Sequence, residues 1–289
     1  MHSVTPRDCP PPAAKHTPPT RFVMPRGATD THAHVIGLPP EYPLVAERSY
    51  TPPAAPASAY LAMLDGAGLD RGVLVQVSVH GSDNRLLLET LRAQPQRLRG
   101  VAVMPPDLPE RDYADADAAG VRGLRLNVLF GGGIGFEALE RYDALMHELG
   151  WHIQLLLDAR ALPELAPRLA KLRSPFIVDH MGHMPVSAGL DHPGFQTLVA
   201  LVRDGAWVKL SGGFRVSELD DWSDTTPFAQ ALIDAGSERC VWGSDWPHVA
   251  HWKRMMQVGE LLDLLADWAP DDALRQKILV DNPARLYRF

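Results

Sequence analysis

Two cysteines, Cys9 and Cys240, are all that the chain contains. They stand far apart, with no metal-finger or redox spacing, which argues against a disulfide framework, a zinc finger or a thiol redox motif. A reducing, cytoplasmic setting is expected. No apolar run approaches the length needed to span a bilayer, so a membrane is not expected as a partner. Positive charge is also scarce: 28 Lys and Arg stand against 35 Asp and Glu, a formal net charge of −7. A nucleic-acid surface needs clustered positive charge, so nucleic acid is not an expected partner either. A few arginines can still make a local pocket for a small anion. Finally, no glycine-rich phosphate loop follows the first strand-like segment, which removes the usual support for a nucleotide-binding open sheet.

What is present is ordinary for a globular protein: 289 residues, 46% hydrophobic and 22% charged, enough for one large α/β domain. The first residues stand apart. Pro6, Pro10, Pro11, Pro12, Pro18 and Pro19 lie among polar residues with no apolar periodicity. No apolar segment and small-residue cleavage site follow, so a secretory signal is not expected. The sequence predicts a disordered, Pro-rich, flexible tail over residues 1–23 and a single domain over residues 24–289.

Eight strand-like segments follow the tail. They are Gly27 to Val35, Gly72 to Val79, Gly100 to Met104, Gly123 to Val128, His152 to Leu157, Pro175 to Asp179, Ala206 to Leu210 and Cys240 to Gly243. Short runs of Val, Ile and Leu are what strands buried on both faces of a parallel sheet require. Helical segments lie between or after them: Ala57 to Gly68, Asp83 to Ala93, Phe136 to Leu149, Leu162 to Leu172, Pro193 to Asp204, Pro227 to Ala235, Met255 to Trp268 and Asp272 to Leu279. Eight of each predict an α/β fold of the (β/α)8 TIM-like barrel type. Gly131-Gly132-Gly133 has neither a P-loop lysine nor dinucleotide spacing, and reads as a flexible loop over the barrel mouth.

Working residues of such a barrel sit at the C-terminal ends of the strands. The first strand ends in His32 and His34; alternate residues of a strand share a face, so the two imidazoles leave side by side. Such a pair can bind a metal, polarise a carbonyl or hold an anion. The other strands add Gln76, Ser78 and His80, then Arg125 and Asn127, then Asp179, His180 and His183, then Ser211 and Arg215, then Asp245 and His248. Any one has a plain structural explanation, such as a helix N-cap for Asp245. Independent accidents should not all fall at one end of a barrel.

Four motifs carry a family resemblance: Asp30-Thr31-His32-Ala33-His34, Val178-Asp179-His180-Met181-Gly182, Trp207-Val208-Lys209-Leu210-Ser211-Gly212 and Trp242-Gly243-Ser244-Asp245-Trp246-Pro247-His248. Together with Gly120 to Asn127 and Asp281 to Leu286, they resemble the amidohydrolase superfamily. The closer likeness is to its branch of 2-pyrone-4,6-dicarboxylate lactonase, 4-sulfomuconolactone hydrolase and galactarolactone isomerase, over nearly everything after the tail. The resemblance implies a hydrolase, with Asp245 as general base on water and His32, His34 and His180 around the scissile carbonyl. It implies Arg125 and Arg215 on a substrate carboxylate and Tyr50 on a loop near the ligand. Ser78, His80, Asn127 and His248 are expected to complete the pocket.

Two departures shape the expectation. Metal-dependent members place a histidine at the end of the fifth strand, where this chain has Leu156; His152 begins that strand and points to the other end. No cofactor is therefore favoured, with zinc on His32, His34, His180 and Asp245 as the alternative. Phe130 and the glycine run stand where the pyrone dicarboxylate lactonase has a further arginine, which disfavours two carboxylates in that arrangement. The expected function is opening of a small anionic lactone by Asp-activated water, in catabolism of aromatic or sugar acids. The alternatives are a zinc-dependent amidohydrolase or decarboxylase, a lactone isomerase and, from another class, a non-catalytic ligand-binding barrel. The sequence leaves a homo-oligomer open.

Overall fold

A computed structural model describes residues 6–289. Its frame is one parallel sheet of eight strands in sequential order. They are β1 (Thr29–Ala33), β2 (Arg71–Val75), β3 (Leu98–Ala102), β4 (Val121–Asn127), β5 (His152–Leu156), β6 (Phe176–Val178), β7 (Trp207–Leu210) and β8 (Cys240–Trp242). All are nearly fully buried, because helices cover the outside and side chains fill the inside. Each predicted strand is found; β1, β5, β6, β7 and β8 are shorter than predicted, while β2, β3 and β4 begin one or two residues earlier and end earlier.

The ring closes beyond the ladder. β8 is only three residues long, and the chain that follows it meets β1: Asp245 N–H donates to the His32 carbonyl at 2.7 Å, and His34 N–H to the Trp246 carbonyl at 2.8 Å. Gly243 permits this approach, since a Cβ there would lie 2.7 Å from the Cβ of His32. The opposite mouth is plugged from outside the sheet. Leu286, Tyr287 and Phe289 pack against Val73, Val75 and Val101, and Leu286 also against Ile177, Trp207 and Val241. Between this plug and the open end, Lys209, Gln154, Asp179, Arg125 and His32 are all buried. The barrel therefore has an apolar floor and a polar column above it.

Three expectations need correction. A helix at Glu110–Ala119 lies between β3 and β4 and was absent from the predicted set. The eighth predicted helix, Asp272 to Leu279, is instead a terminal addition made of a short α-helix, Asp272–Gln276, and a π-helical turn from Lys277. The tail is also not loose over its described part. Arg7–Asp8 pairs in parallel with Tyr50–Thr51, and Cys9 is buried. Thr20 and Arg21 N–H donate to the Asp263 carboxylate at 2.8 and 3.0 Å. Proline lacks the backbone N–H that helix and sheet interiors need, but it suits an extended strap with few backbone donors to satisfy. The rest of the predicted tail, residues 1–5, lies outside the described residues. Deleting residues 1–12 is expected to cost about 2–3 kcal/mol of stability, from the lost pairing and the Cys9 burial. Urea unfolding of the truncated chain measures it, and an unchanged midpoint would show the strap to be passive.

Candidate active site

β1, β6, the segment after β7 and the turn after β8 converge on one carboxylate. His32 Nε2 and His34 Nε2 lie 3.8 and 3.6 Å from Asp245 Oδ1, and His180 Nε2 lies 3.7 Å from Oδ2. The Arg215 guanidinium, on a short helix at Gly213–Val216, donates through Nε to the same Oδ2. All four partners and Asp245 are buried or nearly so. His180 and Asp245 adopt left-handed backbone, with φ of 52° and 60°. Residues with a Cβ reach that region at a cost of roughly 1–3 kcal/mol, and such residues gather at functional sites.

Electrostatics follow from this packing. Burial alone would raise the Asp245 carboxyl, but Arg215 and the histidines outweigh it and hold it well below the usual carboxylate range. Burial keeps His32 and His34 below the ordinary imidazole value and pushes His180 down to about 3. At neutral pH the site is thus a carboxylate among neutral imidazoles. Hydrogen-bond partners then assign one tautomer directly. His34 Nδ1–H donates to the Val75 carbonyl at 2.7 Å, so its Nε2 carries a lone pair. His180 Nδ1 meets the Ser211 hydroxyl at 2.9 Å, which serves either tautomer.

A small cavity opens beside this cluster. His34, His180, Asp245, Arg125, Arg215, Tyr50 and Ser78 line it, with Phe130, Leu156, Val249 and Ala250 as its apolar wall. The cavity thus collects seven of the eleven predicted residues, and an eighth, His32, stands behind it. The other three sit outside. His80 Nε2 contacts the Gly37 carbonyl at 3.1 Å and so ties down a loop. His248 packs edge-on against Phe214, and neither of its ring nitrogens has a partner. Asn127 donates to Ser78 Oγ at 3.1 Å and accepts from the N–H groups of Leu129 and Phe130 at 2.9 and 3.1 Å. It shapes the wall and does not face the cavity. The glycine loop is likewise held in place, since Gly131 N–H donates to Ser49 Oγ at 2.9 Å.

Two buried polar residues, Lys209 and Asp30, were not singled out from the sequence. Lys209 donates to the Gln154 side-chain oxygen at 2.7 Å and to the Thr31 carbonyl at 2.9 Å, and lies 3.2 Å from His32 Nδ1. Burial pushes its ammonium down to about 8, so it stays protonated at neutral pH. Asp30 accepts from Ser244 N–H at 2.8 Å, Ser244 Oγ–H at 2.6 Å, His32 N–H at 3.1 Å and Tyr60 O–H at 3.2 Å. A lysine inside an apolar strand and an aspartate two residues before His32 were the available signals.

Residues able to hold a metal are present. Ligand atoms of His32, His34 and Asp245 lie within 4.8 Å of one another, as do those of His32, Asp179 and His180. The bare Nε2 of His34, backed by a carbonyl on Nδ1, has the arrangement of a metal ligand. His32 does not, because its Nδ1 faces an ammonium. The end of β5 offers only the apolar Leu156. The set fits a metal poorly as it stands.

An eight-stranded parallel barrel with histidines, arginines and two aspartates at the C-terminal strand ends has the makeup of a water-activating enzyme. The chain belongs to the amidohydrolase family, whose family model matches residues 29–289. It is 40% identical over 276 residues to a 4-sulfomuconolactone hydrolase of Rhizobium radiobacter, covering 93% of this chain and 92% of that protein. It is 34% identical to a 2-pyrone-4,6-dicarboxylate hydrolase of Comamonas testosteroni, covering 92% of each. A D-galactarolactone isomerase of Agrobacterium fabrum is 30% identical, again over 92% of each. Among solved structures, an apo protein of Agrobacterium tumefaciens superposes with a TM-score of 0.83 at 30% identity, over 92% of this chain and 97% of that one. Among the described residues, no helix is long and apolar enough to cross a membrane.

Proposed function

We propose that this protein hydrolyses a small anionic lactone, with Asp245 as the base that activates water. The observation that carries the reading is the convergence of three imidazoles and a guanidinium on one buried carboxylate beside a cavity. The named activities of the relatives support the substrate class. Asp245 Oδ1 and the bare Nε2 of His34, 3.6 Å apart, are both acceptors, and a water beside the pair, at the apex of a triangle, can donate to both. His34 then positions the nucleophile, rather than polarising the carbonyl as the sequence suggested. The unpartnered Nε2 of His32 supplies the donor to the developing oxyanion. The proton lost by the water passes to Asp245; as the tetrahedral intermediate collapses, the bond from the carbonyl carbon to the ring oxygen breaks and Asp245 returns the proton to that oxygen, which leaves as the alcohol. The reading is metal-independent, supported by Leu156 at the end of β5 and by the surroundings of His32.

Arg215 explains how a low-pKa carboxylate can serve as a base. Its guanidinium neutralises Asp245 in the free protein, and a substrate carboxylate offers it a second partner. Sharing the arginine weakens the pull on Asp245 and raises its basicity when substrate is bound. Arg125, at 3.2 Å from the Gln76 carbonyl and with its Nε unpartnered, is the second anion contact. Arg215→Lys keeps the charge and loses the fork; it is expected to lower kcat/KM by about 10–100-fold on a carboxylated lactone and far less on a neutral one. Equal losses on both would remove the arginine from substrate binding.

The deciding experiment is a lactone panel assayed by proton release, with the protein as purified, after chelation and with added zinc. Product structure is read by NMR. Ring-opened acids formed at the same rate after chelation support the reading. A rearranged lactone as product would replace hydrolysis with isomerisation, and activity that needs zinc would overturn the metal-independent part.

A further inference from the structure

Lys209 projects into the polar column of the barrel and is fully buried. An ammonium has three N–H donors and no acceptor. Three acceptors surround this one: the Gln154 oxygen at 2.7 Å, the Thr31 carbonyl at 2.9 Å and His32 Nδ1 at 3.2 Å. The first two can only accept. The third N–H therefore points at His32 Nδ1, and that nitrogen must hold a lone pair. Asp179 Oδ1 is the competitor, since it would accept a proton from His32 Nδ1. It lies farther off, 3.4 Å from Nδ1 and 3.6 Å from Nζ. Its other oxygen is held by Gln154 Nε2 at 3.0 Å and lies 3.5 Å from Arg125.

We infer that Lys209 is a positioning residue which fixes His32 as the Nε2–H tautomer, making that imidazole a donor into the site and denying its Nε2 to a metal. The two histidines of the first strand are thereby set oppositely. His34, backed by a carbonyl, presents a lone pair; His32, backed by an ammonium, presents a proton. Hydrolysis without a metal needs both, one to hold the water and one to polarise the carbonyl. The same geometry states what happens when Lys209 is removed. Asp179 Oδ1, now the nearest partner, takes the Nδ1 proton, and His32 Nε2 becomes bare. His32, His34 and Asp245 would then offer three lone-pair donors within 4.8 Å of one another.

The inference rests on the lactone reading only for its activity arm. In the full chain labelled at histidine, long-range nitrogen–proton NMR is expected to show His32 protonated at Nε2 in the wild type and at Nδ1 in Lys209→Met. The variant's kcat should fall about 100-fold with KM changed less, the usual loss when one oxyanion donor goes. Its zinc affinity, titrated on metal-free protein, should tighten at least about tenfold. Lys209→Arg keeps a cationic donor and should return both the tautomer and the weak zinc binding. Wild-type His32 protonated at Nδ1 overturns the inference and needs no variant to show it. So does a folded Lys209→Met with an unchanged tautomer. If Lys209→Met fails to fold, the wild-type and Lys209→Arg spectra decide. The expected tautomers in a protein that opens no lactone would sink the functional reading and leave this one standing.

Discussion

Asp245→Asn should abolish turnover, with kcat down by about 10³-fold or more, while the fold and ligand binding persist. Among the described residues, the carboxylate is the only acidic group lining the cavity, and it lies within 3.8 Å of all three imidazoles and against Arg215. Asn is the right replacement because residue 245 sits at a φ of 60°, where Asn is tolerated better than most residues. Its carbonyl can still accept from Arg215, so the short helix carrying that residue keeps an anchor. The test is a pair of measurements: single-turnover hydrolysis, and a melting curve with and without a non-hydrolysable carboxylate ligand. A fully active Asp245→Asn sinks the assignment and passes the role of base to His34, whose bare Nε2 lies 3.6 Å from residue 245.

Asp30→Ala should be the most damaging substitution for stability. Four donors, the Ser244 backbone and hydroxyl, the His32 backbone and the Tyr60 hydroxyl, lose their acceptor in a buried place. Orphaned buried donors of this kind cost about 3–5 kcal/mol in sum, or roughly 10 °C in Tm. Activity should fall with it, since the same carboxylate fastens the segments that carry His32 and Asp245. The wild type also has a pH signature. Burial pushes the Asp30 carboxyl up from 3.8 to about 6, so the folded protein holds its proton more tightly than the unfolded chain. The stability this contributes is full below about pH 4 and is lost as pH rises through about 6. Asp30→Asn should flatten that part of the profile. A profile equally steep in the variant would show that other groups govern it.

The strands were legible because several are short apolar runs buried on both faces, and the strand-end residues followed from the barrel rule. The helix at Glu110–Ala119 was hidden by its composition. Only Tyr113, Ala116 and Ala119 face inward, and two alanines among four acidic residues make no visible stripe. The strap was hidden because proline-rich chain without periodicity looks the same whether loose or packed. His80 and His248 lie outside the cavity lining for a different reason: position near a strand end says that a side chain is close to the mouth, not which way the loop turns it. Lys209 and Asp30 mark the deeper limit. Alternation tells which face a strand residue takes, but the partner across a barrel is set by register, and one sequence does not display that.

The left-handed backbone at His180 and Asp245 has an evolutionary consequence. Glycine occupies that conformation freely, so replacing either residue with glycine would relieve local strain while deleting the chemistry. The two positions differ in what else they hold: Asp245 neutralises the nearly buried Arg215, so its loss would orphan that charge, whereas His180 has only the Ser211 hydroxyl on its Nδ1. A lineage released from selection for turnover should therefore lose His180 before Asp245.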